Sequence, residues 1–316
     1  MAGCKSCKRC LCSFELTRFR ATALLCAALL GAGAGQAESL RYCDAPAALS
    51  ATQQDHLLRF AEVIKRELED SGAGVALISR TGLDLSRFGQ RYSHAGVAVK
   101  DGLSTPWAVR QLYFACDERK PKLFDQGMAG FVLGTHNPTL GHVSIVTLPS
   151  TAATPLQTAA TNKPLALGLL GASYSANAHP FSSQYQNCNQ WVAELLAAAW
   201  GQAVSTREAA QRWLKAMDYA PSRFELGSRL WLWLAQLVPW FHTDDQPEDN
   251  LQTLTFQVSM PQSIEAFVQA QVPGAQRIEV CHNAKQIVVR RGWLAVLEGC
   301  VAEAQDTVLA FNPTAP

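Results

Sequence analysis

A single cysteine, Cys188, sits where a helix would begin, in the run Tyr185-Gln186-Asn187-Cys188-Asn189-Gln190-Trp191-Val192. Val192, Leu195, Leu196 and Ala199 recur at helical spacing and give the following segment one apolar face. Asn187, Cys188 and Asn189 fall in its first turn, where backbone N–H groups lack intrahelical acceptors. A thiol placed there feels the positive end of the helix dipole, which favours thiolate and is expected to lower its pKa. That is nucleophile chemistry. The plainer alternative is a small buried residue at a helix start, since free cysteine packs as a small hydrophobe.

A cysteine nucleophile needs a base, which can be distant in sequence. Of seven histidines, His94 is the best placed. It lies in Arg91-Tyr92-Ser93-His94-Ala95-Gly96-Val97-Ala98-Val99, a strand-like run whose small residues let another backbone or a helix end approach. The competing reading is a satisfied histidine at a sheet edge. His136 and His142 flank a Gly/Pro turn, His179 precedes Pro180 and His282 lies at a turn, so structural or solvated roles are expected for these four. His56, among charges on a helix, is expected to be a solvated surface group. Zinc held by His136, His142, His179 and Cys188 is a weaker alternative, because no tight ligand pair occurs. No metal or cofactor is expected.

The elements that would position these groups follow from periodicity. Ser50 caps a helix running to about Asp70, with Leu57, Phe60, Ala61, Ile64 and Leu68 on its buried face. Val75–Ser79, Arg91–Lys100, Trp107–Cys116 and His142–Leu148 read as strands, and Asp101-Gly102 offers a hairpin turn. The stretch from Pro149 to Lys163 reads as a loop before a helical segment near Leu165–Leu170. Thr206–Met217 reads as a helix, and the apolar Leu230–Val238 as a core element. Its tryptophans also allow an interfacial membrane contact through 230–241, although the run is too short to span a bilayer. His242–Asn250 reads as a linker. A strand near Leu254–Val258, a helix from Pro261 and a hairpin over Arg277–Arg290 complete the chain.

The first residues read as a secretory signal. Lys5, Lys8, Arg9, Arg18 and Arg20 precede an apolar run over Ala21–Leu30 and a small-residue site at Gly35-Gln36-Ala37. Cleavage there leaves the periplasm as the expected location. It also turns the formal charge from +1 to −3, since five basic residues and Glu15 depart. No basic field is left for nucleic acid. Of ten cysteines, Cys43, Cys116, Cys188, Cys281 and Cys300 remain, an odd number in an oxidising compartment. Pairing Cys281 with Cys300 and Cys43 with Cys116 is preferred and leaves Cys188 free, although sequence does not fix the connectivity. The expected division is a signal over 1–37, a core over 38–242 and a β-rich extension over 250–316. Oligomeric state is left open.

The segments Tyr92-Ser93-His94-Ala95-Gly96-Val97 and Asn187-Cys188-Asn189-Gln190-Trp191-Val192 together resemble the circularly permuted branch of the NlpC-type papain-like superfamily, where a strand histidine precedes a helix-start cysteine. That likeness covers about residues 75–200. The whole chain, from Arg41-Tyr42-Cys43 onward, resembles a family of exported bacterial proteins known as a domain of unknown function. The superfamily includes peptidoglycan amidases and peptidases, and lipid-handling thiol acyltransferases and hydrolases. The resemblance implies an α+β fold, with an antiparallel sheet packed on the cysteine-bearing helix and a C-terminal α/β extension. It makes Cys188 the nucleophile and His94 the base. If the hairpin pairs His94 near residues 111–113, Gln111 or Tyr113 orients the imidazole. Gln111 is preferred because a carboxamide oxygen accepts an imidazole N–H. The expected activity is that of an exported thiol hydrolase or acyltransferase on amide or ester bonds of cell-envelope peptide or lipid. A non-catalytic binding or structural protein of the same fold is the alternative.

Overall fold

The computed structural model describes residues 49–115, 118–235 and 238–311, all within one compact unit, Pro46–Pro316. The expected leader 1–37 and the pairing of Cys43 with Cys116 lie outside the described residues.

The architecture is mixed α+β, built on an eight-stranded antiparallel sheet. Helix α1 (Ala51–Asp70) is opened by a capping box in which Ser50 and Gln53 satisfy each other's backbone N–H groups. Strands β1 (Val75–Arg80), β2 (His94–Val99), β3 (Ala108–Ala115) and β4 (Lys120–Gln126) follow, with α2 (Met128–Leu133) and β5 (Gly141–Thr147) after them. The chain then forms helices α3 (Ser150–Thr161), α4 (Lys163–Gly168), α5 (Cys188–Trp200) and α6 (Arg207–Ala216). A small ribbon, β6 (Ser222–Glu225) with β7 (Thr255–Val258), encloses α7 (Arg229–Ala235) and α8 (Glu248–Thr253) in sequence. Helix α9 (Pro261–Gln271) leads to β8 (Gln276–His282), β9 (Gln286–Arg291) and β10 (Thr307–Ala310). The sheet order is β10-β9-β8-β5-β1-β2-β3-β4, so the C-terminal strands continue the central sheet.

Both faces of the sheet are covered. Val75 and Leu77 of β1 pack with Val97, Val146 and the apolar faces of α3, α5, α6 and α9. Ala76 and Ile78, pointing the other way, pack with Leu57, Phe60, Ile64 and Leu68 of α1 and with Phe131 of α2. This explains why β1 and β2 read as continuous apolar runs, every residue of each being buried.

Three expectations are corrected. Ser150–Thr161 is helical, with Pro155 inside it, and not a loop. Leu156, Ala159 and Ala160 fall on its buried side at helical spacing, which the Ser/Thr/Ala/Pro composition hid. Helix α7 does not fill the core: Leu230 is 63 % and Trp233 59 % exposed. His56 is not simply solvated, because its ring stacks on Phe311 at 3.8 Å. Cys281 and Cys300 form a disulfide with Cα atoms 5.7 Å apart, tying β8 to the loop before β10. Among the described residues, no helix is long and apolar enough to cross a membrane.

Candidate functional site

The helix start is built by side chains. Asn187 caps α5, its Oδ1 accepting the Gln190 N–H at 2.7 Å. Asn189 Nδ2 donates to the Ser93 carbonyl at 3.2 Å, pinning the first turn of α5 to the start of β2. Trp191 is fully buried and its indole N–H donates to Ala166 O at 3.2 Å, which fixes the helix from the other side. Cys188 is a free cysteine, 8 % exposed, and packs in the same core as Ala95 and Val97.

The amides of Asn189, Cys188 and Ala95 face the Cys188 sulfur, and the Arg80 cation also favours its thiolate. Burial outweighs all of them and pushes the thiol up to about 11. The expected fall in pKa from the helix dipole is therefore corrected. In this closed arrangement desolvation wins, and the sulfur is held as a thiol.

His94 is the first residue of β2, directly opposite Arg80 in the β1–β2 ladder. Its Nε2 lies 2.7 Å from Gln111 Oε1, on β3. Gln111 is fully buried, and its amide nitrogen donates in turn to Gln126 Oε1 at 2.6 Å, on β4. This relay fixes the polarity of the ring. With Gln126 Oε1 accepting the Gln111 N–H, Gln111 turns its oxygen to the ring, and in the tautomer that matches it His94 carries its proton on Nε2 and has Nδ1 as its acceptor nitrogen. The ring also stacks on Tyr113, with centroids 4.6 Å apart and planes 22° apart. Burial, and then the Arg80 charge, push His94 down to about 3 against a smaller upward pull from Gln111. The imidazole is neutral across the physiological range.

Gly96 is what lets these strands close up. A Cβ there would lie 2.6 Å from Val109 Cγ1, 2.9 Å from the Arg110 carbonyl oxygen and 3.2 Å from Gln111 Cβ. Only glycine admits β3 so near that Gln111 crosses to His94.

Two contributors escaped the sequence reading. Gln126 lies on β4, a Lys- and Pro-bearing segment with no strand alternation, so nothing marked it. Arg80 ends the apolar run of β1, and only the ladder register places it beside His94. The structure thus joins His94, Gln111, Gln126, Tyr113 and Arg80, and docks the turn carrying Cys188 on the backbone at Ser93–Ala95. His94 and Cys188 come from different layers. The His94 ring lies 6.2 Å from Phe131, in the core under α1 and α2, whereas Cys188 belongs to the opposite core. The link between the two is through the backbone: the turn carrying Cys188 is tied by Asn189 to the carbonyl of Ser93, the residue before His94.

Of the remaining histidines, His142 and His282 are buried at the β5–β8 end and His179 beside Asp245, whose carboxylate accepts its backbone N–H, while His136 is exposed and His242 half-buried. Among the described residues, no group of three or more His, Cys, Asp or Glu side chains could hold a metal ion.

No curated protein and no solved structure matches the chain. Residues 67–268, which span β1 to β7 and so contain every residue of the cluster around His94 and Cys188, match a family described as "Uncharacterized protein conserved in bacteria (DUF2145)". With well over half of its length inside that match, the chain belongs to the DUF2145 family of bacterial proteins.

Proposed function

We propose that the protein is an exported, periplasmic thiol hydrolase or acyltransferase with a papain-like core of the permuted NlpC type, acting on amide or ester bonds of cell-envelope peptide or lipid. The observation that carries this reading is the Gln126–Gln111–His94 relay, which leaves one imidazole nitrogen as acceptor at the strand end where the cysteine helix docks.

The chemistry follows from two neutral partners. The Cys188 thiol gives its proton to His94 Nδ1 as sulfur bonds to the substrate carbonyl carbon. The carbonyl oxygen takes the negative charge, and the amides of Cys188 and Asn189, which face the sulfur, are the donors proposed for it. On collapse the C–N or C–O bond breaks, the leaving group takes the proton from His94, and a thioester remains on Cys188. Water or an acceptor nucleophile, deprotonated by His94, then releases the acyl group. Gln111 stays hydrogen-bonded to Nε2 throughout and orients the ring.

A second reading, a non-catalytic periplasmic binding or structural protein, draws on the burial of Cys188 and its raised pKa. Turnover separates the two. Incubation with cell-envelope peptides and acyl lipids should yield an acyl adduct on Cys188 by mass spectrometry, absent in Cys188→Ala. His94→Ala should slow product release about 10²–10⁴-fold. Turnover that survives Cys188→Ala would exclude the thiol mechanism, and absence of turnover on every envelope fraction favours the binding reading.

A further inference from the structure

Arg80 is 5 % exposed, and among the described residues no carboxylate pairs with it. The other buried arginines of the sheet and its helices are paired: Arg207 with Glu194, Arg277 with Glu265 and Glu279, and Arg290 with Asp306. Arg80 is the exception. Its Nη2 donates to Tyr113 Oη at 2.7 Å, its Nη1 donates to the Thr81 carbonyl at 3.2 Å, and its Nε has no partner. The guanidinium is held tightly in place. A Cβ on Gly134 would lie 2.5 Å from Nη2 and one on Gly82 would lie 3.1 Å from Nη1. Phe131 lies against the guanidinium as well, with its ring centroid 5.4 Å from the guanidinium carbon.

Keeping a cation out of water without a counter-charge costs several kcal/mol, and such a group is usually retained for what it does to charge in its vicinity. Arg80 lies opposite His94 in the ladder, and Tyr113 spans the two: its hydroxyl takes the Arg80 N–H while its ring stacks on the imidazole. The histidine is neutral and contributes no negative charge. In low dielectric a fixed positive charge acts over many ångströms and is poorly screened by salt.

We propose that Arg80 makes the Cys188 site select acyl donors that carry a carboxylate close to the scissile carbonyl, the carboxylate supplying the counter-charge that the fold omits. This rests on the thiol reading above and narrows its substrate class from peptide or lipid to carboxylate-bearing peptide. Arg80 is then a specificity-determining residue, acting through its field and through Tyr113. Arg80 pairs with His94 across the ladder, and the first turn of the cysteine helix is tied to Ser93, the residue before His94.

Two small alkylating reagents test it on the folded protein, with no substrate needed. Iodoacetate and iodoacetamide both form an S–C bond at Cys188 as iodide leaves, and they differ in the carboxylate. The ratio of their rate constants at Cys188, divided by the same ratio for free cysteine, should favour iodoacetate at least tenfold. Arg80→Lys should keep most of that preference, and Arg80→Gln should abolish it. A ratio equal to that of free cysteine in the wild type overturns the proposal, as does a preference that persists in a folded Arg80→Gln. If Arg80→Gln does not fold, the wild-type ratio decides alone. Labelling by neither reagent removes the reactive-thiol reading itself, and the carboxylate preference falls with it. Labelling of the wild type by both reagents without a preference for iodoacetate sinks only the role of Arg80.

Discussion

At the scale of single residues, the site is defined by two amide side chains and the nitrogen they leave free. Gln126 fixes which end of the Gln111 carboxamide faces His94, and Gln111 fixes the His94 tautomer. Replacing Gln126 with leucine leaves the Gln111 N–H buried without an acceptor, at a cost of about 1–3 kcal/mol, and frees the amide to turn over. Ring ¹⁵N shifts of His94 should report a pyridine-type Nδ1 in the wild type down to about pH 3, and a tautomer mixture in Gln126→Leu. An unchanged tautomer in that variant would show that the relay does not orient the ring. His94 and Cys188 were both visible in the sequence, because a helix-start cysteine and a histidine beside small strand residues carry local signatures. Gln111 was visible only through an assumed register. Gln126 and Arg80 were not visible, since each matters through a partner on a neighbouring strand.

At the scale of elements, the β2–β3 pair is the part on which the site depends. Its ladder runs Val97–Arg110, Ala98–Val109 and Val99–Ala108, and the connection over residues 100–107 is longer than the two-residue turn expected at Asp101-Gly102. The register is therefore set by packing, with Gly96 as the point of closest approach. Gly96→Ala should lower stability by about 1–3 kcal/mol through overpacking against Val109 and the Arg110 carbonyl. Denaturant unfolding measures that loss, and the His94–Gln111 hydrogen bond should weaken with it. A neutral substitution would mean that β3 can retreat without cost. Elements with strong 3.6-residue periodicity and caps, such as α1, α5 and α6, were legible within a residue or two. Helix α3 and strand β4 were not, because proline in each masks the pattern that tertiary burial supports.

At the scale of the whole molecule, acid sensitivity is built into the buried histidines. Burial pushes His94 down to about 3, and His142 and His282 down to about 4. The unfolded chain, with its histidines near 6.5, binds more protons than the native state between those values. Stability should accordingly be fully present above about pH 6.5 and fall as pH drops towards 4. Each such histidine contributes up to about 1.4 kcal/mol per pH unit in that window. Glu194 and Glu265, raised by burial, oppose the trend, since they favour the protonated native state. Unfolding free energies measured from pH 7.5 to 4 should decline, and His282→Gln should flatten the slope. A slope unaffected by that change would mean that His282 is protonated without loss of the fold.

What the sequence by itself determined is local: the helices with caps and apolar faces, the apolar strands of a mixed α+β protein, a cysteine at a helix start and a histidine beside small strand residues. Only the tertiary structure decided the strand order, which carries β8–β10 back beside β5, and the cross-strand contacts that give His94 its tautomer and leave Arg80 without a counter-charge. It also reversed the sign expected for the Cys188 pKa. The helix dipole is written in the few residues around a cysteine, whereas desolvation depends on everything that packs over it, and that is a property of the whole fold.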